Sequence, residues 1–231
     1  MNKTVNFWGV VPAAGVGKRM QADRPKQYLE LLGKTVLERT LERLIEVNVF
    51  TAIAVAISEG DPYWPELSIA KHEKIILAPG GKERGDSVLS GLLALQQLAQ
   101  DNDWVLVHDA ARPCVSLEDI NTLITTLNND EVGGILALAS HDTLKSVDAT
   151  RITATIDRSC IWRALTPQMF RYGELKAALQ QAAANGSVVT DEASAIELQG
   201  KQPKIVEGHP DNIKITRPED LALAQFYLEQ Q

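Results

Sequence analysis

The feature that most constrains this chain is an alternation of two patterns along its length. Short runs rich in Val, Ile and Ala occupy 5–11, 52–58, 74–78, 104–108 and 133–139. Between several of them lie segments with helical spacing. Residues 36–48 set Val36, Leu37, Leu41, Leu44 and Ile45 on one face, with Glu38, Arg39, Glu42 and Arg43 opposite. Residues 87–100 and 117–128 behave similarly, and Ser116 with Asp119 three residues on comes close to a capping box. Thr216-Arg217-Pro218-Glu219 opens a last helix with a capping box and a proline in the first turn. Strands that are apolar throughout are buried on both faces. The chain is therefore expected to be α/β, a mostly parallel sheet with helices on both faces. No repeat, low-complexity tract or Ser/Gly-rich linker interrupts residues 1–231, which predicts a single domain.

One stretch departs from the alternation. Polar and apolar residues take turns over Arg151-Ile152-Thr153-Ala154-Thr155-Ile156-Asp157, with Asp148-Ala149-Thr150 as a turn before them. This predicts a two-stranded β-arm spanning residues 140–160. An isolated hairpin is marginal in water and needs a surface. A second copy of the chain would supply one, and so would the chain's own sheet.

Acidic residues outnumber basic ones, 30 to 23, for a net charge of −7. General nucleic-acid binders need a positive field to displace counterions, so no nucleic-acid partner is expected. A local basic cluster can still hold a small anion on an acidic protein. Cys114 and Cys160 cannot form a disulfide framework and read as reduced thiols. His72, His108, His141 and His209 show no ligand spacing, so no zinc site is expected. No stretch approaches the roughly 20 apolar residues that span a bilayer. The start, 5–14, reads as a strand entering a glycine loop rather than a signal peptide, because Asn6 and Gly9 break its apolar run. The expected location is the cytoplasm, with no membrane partner.

The first strand runs into Pro12-Ala13-Ala14-Gly15-Val16-Gly17-Lys18-Arg19-Met20, followed closely by Arg24-Pro25-Lys26-Gln27. Gly15 and Gly17 permit close backbone approach, so several N–H groups can face one anion. Lys18, Arg19, Arg24 and Lys26 put four cations within nine residues, opposed only by Asp23. Open α/β sheets bind ligands at the carboxyl ends of their strands, and the ligand suggested is a polyphosphate. Two familiar phosphate loops are excluded. A Walker A loop fails because Pro12 stands at its first glycine and Arg19 replaces its magnesium-holding Ser/Thr. A dinucleotide fingerprint fails because Met20 occupies its third glycine. A tight turn with a solvated basic face would carry the same residues.

A second glycine segment, Pro79-Gly80-Gly81-Lys82-Glu83-Arg84-Gly85-Asp86-Ser87, also follows a strand and precedes a helix. Asp86 or Ser87 would cap that helix, and the backbone could contact a base or a phosphate. A plain capped connection is the other reading. Gly85-Asp86-Ser87-Val88-Leu89 lacks the second glycine of a nucleophile elbow, so a serine hydrolase is not supported. In Val105-Leu106-Val107-His108-Asp109-Ala110-Ala111-Arg112-Pro113, an apolar strand delivers Asp109 to the ligand-bearing edge. A hard oxygen ligand there suits magnesium carried by a nucleoside triphosphate, and Arg112 is placed for a second phosphate. Asp109 also reads as a turn residue bonded to nearby amides. His108 reads as a packed or hydrogen-bonded residue rather than a catalyst. Asp211-Asn212-Ile213-Lys214-Ile215-Thr216 reads as a short strand carrying a carboxylate and a cation, either functional or a solvated edge.

Together with Asp142-Thr143, Asp157-Arg158, Leu165-Thr166-Pro167-Gln168 and Thr190-Asp191-Glu192-Ala193-Ser194, these segments complete a recognisable set. Over nearly its whole length the chain resembles the 2-C-methyl-D-erythritol 4-phosphate cytidylyltransferases of the non-mevalonate isoprenoid pathway. The resemblance implies a Rossmann-like domain whose arm swaps around a partner to make a homodimer. It also implies transfer of the cytidylyl group of CTP to 2-C-methyl-D-erythritol 4-phosphate, with Mg2+ and release of pyrophosphate. Some relatives carry a fused zinc-dependent cyclase, which is not expected in a sequence ending at Gln231. By the same resemblance, Arg19, Lys26, Arg158 and Lys214 are catalytic. Pro12, Ala13, Ala14, Gly15, Gly17, Gly81, Lys82, Ser87 and Ala110 surround CTP. Asp109, with Asp211, meets the metal. Asp109, Arg112, Thr143, Thr190 and Lys214 hold the methylerythritol phosphate, which Arg158 reaches from the other subunit.

Two other functions fit parts of this pattern. A ribitol 5-phosphate cytidylyltransferase shares the fold and the glycine loop, although Pro12-Ala13-Ala14-Gly15 and Asp211-Asn212-Ile213-Lys214 favour the methylerythritol enzymes. A non-catalytic CTP sensor would keep the nucleotide pocket but would have no use for the acceptor-side cations.

Overall fold

The computed structural model describes residues 5–15, 20 and 23–231; Gly17, Lys18 and Arg19 lie outside them. In chain order the strands are β1 (Phe7–Pro12), β2 (Glu30–Leu31), β3 (Lys34–Thr35), β4 (Phe50–Ile57), β5 (Ile75–Pro79) and β6 (Trp104–Val107). They continue with β7 (Gly133–Ala139), β8 (Leu144–Asp148), β9 (Arg151–Ile156), β10 (Trp162–Arg171) and β11 (Lys204–Glu207). The α-helices are α1 (Val36–Glu46), α2 (Arg84–Ala94), α3 (Leu117–Leu127), α4 (Tyr172–Ala184), α5 (Glu192–Glu197) and α6 (Glu219–Leu228).

Among the described residues, seven strands make the main sheet in the order β11-β7-β10-β6-β1-β4-β5. β1 lies parallel to β4 and β6, β4 to β5, and β11 to β7. β10 runs antiparallel to both β6 and β7. Its direction follows from its connection: β7 leads into the arm and β10 returns from it, which makes the two antiparallel neighbours. The mostly parallel α/β sheet read from the apolar runs is therefore the one present, with one reversed strand.

Alternate side chains of the central strands feed two cores. Trp8, Val10, Val105 and Val107 pack with Val88 and Leu92 of α2 and Leu175 and Leu179 of α4. Val11, Trp104 and Leu106 pack on the other face with Leu37, Leu41 and Leu44 of α1 and Ile120, Leu123 and Leu127 of α3. Truncating such a leucine to alanine typically costs about 2–5 kcal/mol. A third cluster joins Met20, Val36, Ala111, Cys114, Ile215 and Ala224, and it seats α6 beside the segment that precedes it.

Three local expectations are corrected. Neither Asp86 nor Ser87 caps α2. Glu83 is the N-cap, and Asp86 at the third helical position bonds back to the Glu83 amide at 3.0 Å. Ser116 does cap α3, accepting from the Asp119 amide at 2.9 Å, but the Asp119 carboxylate turns to His209 instead of completing a box. At α6, the Thr216 amide and hydroxyl bond Asp220 at 2.8 and 2.9 Å, and Glu219 takes no part. A fourth correction concerns 211–216, which is not a strand. The Ile213 amide closes a tight turn onto the Asp211 carbonyl at 2.6 Å, and the Ile215 amide bonds Ala111 O at 2.9 Å.

The predicted arm is β8 paired antiparallel with β9, turning at Ala149 with φ 51°. Every residue of β9 is exposed, so the arm does not lie back on its own sheet. Among the described residues, no helix is long and apolar enough to cross a membrane.

Candidate active site

The sheet order reverses direction between β1 and β6, and the carboxyl ends of strands at such a switch point form a crevice. The loop after β1 and the loop after β5 meet there, over the end of β4. The Ala13 amide bonds Ala56 O at 2.7 Å, the Gly80 amide bonds Ile57 O at 2.6 Å, and Ser58 Oγ bonds Ala14 O at 3.0 Å. A Cβ on Gly80 would overlap the Cβ of Ala14, and one on Gly81 would overlap the Cβ of Asp86. Only glycine lets the two loops close this far. The Gly81 amide donates to Ser87 Oγ at 3.0 Å, which fixes the second loop against the first turn of α2.

Between these loops and β6 lies a cavity of about 350 Å³. That is the size of a small-molecule site. Pro12, Ala13, Ala14, Gly15, Gly81, Lys82, Ser87 and Ala110, all read as nucleotide contacts, line it. So do Lys26, Asp109 and Lys214. Among the described lining residues, Lys26, Lys82, Arg84 and Lys214 face two carboxylates, Glu83 and Asp109. The wall is thus cationic in a chain of net charge −7, which suits a polyphosphate. Lys26 Nζ donates to Ile215 O at 2.8 Å and Gln27 Nε2 to Ala13 O at 2.6 Å, so the segment after the first glycine loop is held at both edges of the cavity.

Asp109 is the electrostatic centre. Arg84 Nε reaches its Oδ1 at 3.0 Å, while Lys214 Nζ and Arg112 Nε reach Oδ2 at 2.8 and 3.2 Å. Burial works to raise the Asp109 pKa, but the charges of Arg84, Lys214 and Arg112 outweigh it and hold the carboxyl well below the usual carboxylate range. His108 behind it is fully buried, with Nε2 3.0 Å from Arg112 O and Nδ1 2.9 Å from Thr166 Oγ1. Burial pushes its pKa down to about 4, so it stays neutral near pH 7, a packed and hydrogen-bonded residue as its sequence context implied.

Other expected residues lie elsewhere. Arg112 is buried behind Asp109, where its Nη1 donates to Asn212 O at 2.6 Å, and it does not line the cavity. The Arg112 amide bonds Asp109 O at 3.1 Å, a turn that folds the side chain back onto the carboxylate instead of outward to a phosphate. Thr190 lies on a neighbouring cavity that shares Glu83 and Arg84 with the first. Thr143 and Arg158 belong to the exposed arm region, with Arg158 Nη1 donating to His141 O. Asp211 does not reach the cavity. The turn at 211–213 sends its side chain to Gln231, whose Nε2 donates to Oδ2 at 3.0 Å, while Lys214 enters the site. Arg84 stands out in the sequence only as part of the second glycine segment, yet it lines the cavity together with Gln27, Glu83 and Ala111. Its spacing from Ser87 on one helical face was the available signal.

Among the described residues, no group of three or more His, Cys, Asp or Glu could hold a metal ion. Magnesium that arrives on phosphates needs only one or two protein carboxylates. Asp109 lines the cavity and Asp211 does not.

A family model described as IspD: 2-C-methyl-D-erythritol 4-phosphate cytidylyltransferase matches residues 7–230. The 2-C-methyl-D-erythritol 4-phosphate cytidylyltransferase of Vibrio vulnificus (strain YJ016) is 56% identical over 223 residues, covering 96% of this chain and 94% of its own. That of Pseudomonas putida (strain GB-1) is 54% identical over 223 residues, covering 96% and 95%. A crystal structure of the Francisella tularensis protein of the same name superposes with a TM-score of 0.85 at 40% identity, over 96% of this chain and 99% of that one.

Proposed function

The chain belongs to the 2-C-methyl-D-erythritol 4-phosphate cytidylyltransferase family, and from that premise we propose how its residues divide the work. The reaction joins the cytidylyl group of CTP to 2-C-methyl-D-erythritol 4-phosphate, releasing pyrophosphate and giving 4-diphosphocytidyl-2-C-methyl-D-erythritol for isoprenoid biosynthesis. An oxygen of the acceptor phosphate attacks the α-phosphorus of CTP. The bond from that phosphorus to the bridging oxygen breaks, and pyrophosphate leaves with the electron pair. A phosphate monoester is largely ionised at neutral pH, so no general base is required. The protein's task is in-line positioning and neutralisation of charge.

The observation that carries the assignment is the meeting of Lys26 and Lys214 in one cavity between two glycine loops. Lys26 faces the triphosphate, and Arg19, which lies outside the described residues, is assigned to the same task by the family resemblance. One well-aimed donor of this kind is typically worth about 10²–10³ in turnover. The loops around Gly15 and Gly81 hold the nucleotide with backbone groups in a space a purine would overfill. Lys214 and Asp109 hold the acceptor, with Arg112 bracing Asp109. Magnesium bound with the triphosphate would neutralise its oxygens, and Asp109 is the residue to hold it. The exposed Val147 and Ile152 of the arm support a homodimer in which the arm carries Thr143 and Arg158 to the partner's cavity. A single domain in the cytoplasm, where the free Cys114 and Cys160 stay reduced, completes the proposal.

Calorimetry with CTP and kinetics with both substrates test the division. Lys26→Ala should lose CTP binding. Lys214→Ala should bind CTP as the parent does while its KM for the acceptor rises. The reverse pattern would overturn it.

A further inference from the structure

Arg84 and Glu192 form a layer of charge beneath Asp109 to which neither substrate contact nor phosphate binding assigns a purpose. Arg84 is the first residue of α2 and Glu192 the first of α5. Nη1 and Nη2 of Arg84 donate to the two Glu192 carboxylate oxygens at 2.6 and 3.0 Å, while Nε donates to Asp109 Oδ1 at 3.0 Å. A guanidinium is planar with its donors in a fixed fork, so a grip on both terminal nitrogens sets the direction in which Nε points.

Glu192 is itself immobilised. It is 0% exposed, and its neighbours on both sides are fastened to the buried Gln168. Gln168 Nε2 donates to Asp191 Oδ2 at 2.9 Å, and the Ala193 amide donates to Gln168 Oε1 at 2.9 Å. Orientation therefore passes from β10 through Gln168 to Glu192, then through Arg84 to Asp109. A buried ion pair adds little net stability over an apolar pair of equal volume, whereas aiming a carboxylate requires both the charge and the fork.

We propose that Glu192 and Arg84 are positioning residues for acceptor recognition, holding Oδ1 of Asp109 so that the carboxylate keeps its orientation when Lys214 turns to the acceptor phosphate. This rests on Asp109 being an acceptor-side group. Glu192 has a second effect. That grip leaves Arg84 Nε, and not the headgroup as a free cation, as the contact Arg84 makes with Asp109. Loss of Glu192 should therefore impair use of the acceptor while sparing CTP, a split that a merely structural ion pair does not produce.

Steady-state kinetics on Glu192→Gln, Arg84→Lys and Asp109→Asn decide the matter. Glu192→Gln and Arg84→Lys should each raise the acceptor KM about tenfold or more, with the CTP KM changed by less than about twofold. Arg84→Lys keeps the charge but loses the fork, so it should fail to rescue. The double variant should be no worse than the poorer single one, because the pair acts as a unit. Equal rises in both KM values, or an Arg84→Lys enzyme matching the parent, would overturn the proposal. An Asp109→Asn effect without effects from the other two would overturn it alone. An Asp109→Asn enzyme with an unchanged acceptor KM would remove the premise and the proposal together. CTP calorimetry reports whether each variant is folded. Arg84, whose side chain is 27% exposed, decides the question by itself should Glu192→Gln not fold.

Discussion

Lys26 Nζ lies 2.8 Å from the carbonyl oxygen of Ile215, which ties the donor side of the cavity to the residue that follows Lys214. The segment 211–216 has no ladder of strand bonds to hold it, so this tether and the Ile215 amide bond to Ala111 matter to its order. Removing Lys26 should therefore disturb the acceptor side as well as the triphosphate. Loss of one such bond, net about 1 kcal/mol, should speed backbone hydrogen exchange in 211–216 about fivefold in Lys26→Ala relative to the parent. Mass-spectrometric exchange on CTP-free protein checks this, and unchanged exchange would show that the tether is idle.

The glycines of the two loops should respond in opposite ways. Gly15 has no neighbour within 4 Å of an added Cβ among the described residues, and it lines the cavity. Gly15→Ala should melt with the parent and bind CTP more weakly. Gly80→Ala would drive a methyl into the Ala14 Cβ and the Ile57 carbonyl and should lower stability by about 1–3 kcal/mol, as overpacking does. Thermal melting beside CTP calorimetry separates the two.

Acid should destabilise the fold through His108. Burial lowers its pKa to about 4, below the ordinary histidine value, so protonation favours the unfolded chain. Stability is unaffected above the unfolded value, falls as pH drops below it, and levels off near the folded value. From pH 7 to 5 the loss should be about 2 kcal/mol. His209 opposes this. Its bond with Asp119 raises its pKa, so its contribution is present at low pH and fades as pH climbs through the raised value. Melts at pH 7 and 5 should show a steeper acid loss for His209→Asn than for the parent.

Sharing of sites between subunits has a direct test. If Arg158 acts across the dimer, mixing Arg158→Ala with Lys26→Ala chains restores one intact site in each hybrid. Statistical mixing should then return about a quarter of parental activity. Hybrids that form but stay inactive would place Arg158 in its own chain's site.

Much of this architecture is legible in the amino-acid pattern, and the gaps have physical causes. β1, β4, β6 and β7 announce themselves as apolar runs because they lie inside the sheet, and β5 does so at the edge opposite β11, although only Ala78 of its five residues is buried. β11 does not, since at the sheet edge Lys204, Ile205 and Glu207 stay exposed. β10 changes from exposed to buried halfway along, so neither strand period is sustained. α5 is only six residues long and lacks a full apolar face.

The site divides along the same line. Lys26, Gly81, Asp109 and Lys214 belong to motifs whose spacing carries the chemistry, and they meet in the cavity. Arg112 and Asp211 belong to equally good motifs, yet local turns direct both side chains away. A turn of two or three residues decides that outcome, and composition cannot register it. Glu192 shows the converse. As a surface carboxylate it would be ordinary, and only its complete burial against Arg84 makes it informative.

Pyrophosphate release by the purified protein with CTP and magnesium reads cytidylyl transfer itself, with 2-C-methyl-D-erythritol 4-phosphate in one run and ribitol 5-phosphate in another. Release with the methylerythritol phosphate and none above background with ribitol phosphate is the expected result. Release with ribitol phosphate alone, or none with either while CTP still binds, would contradict the account.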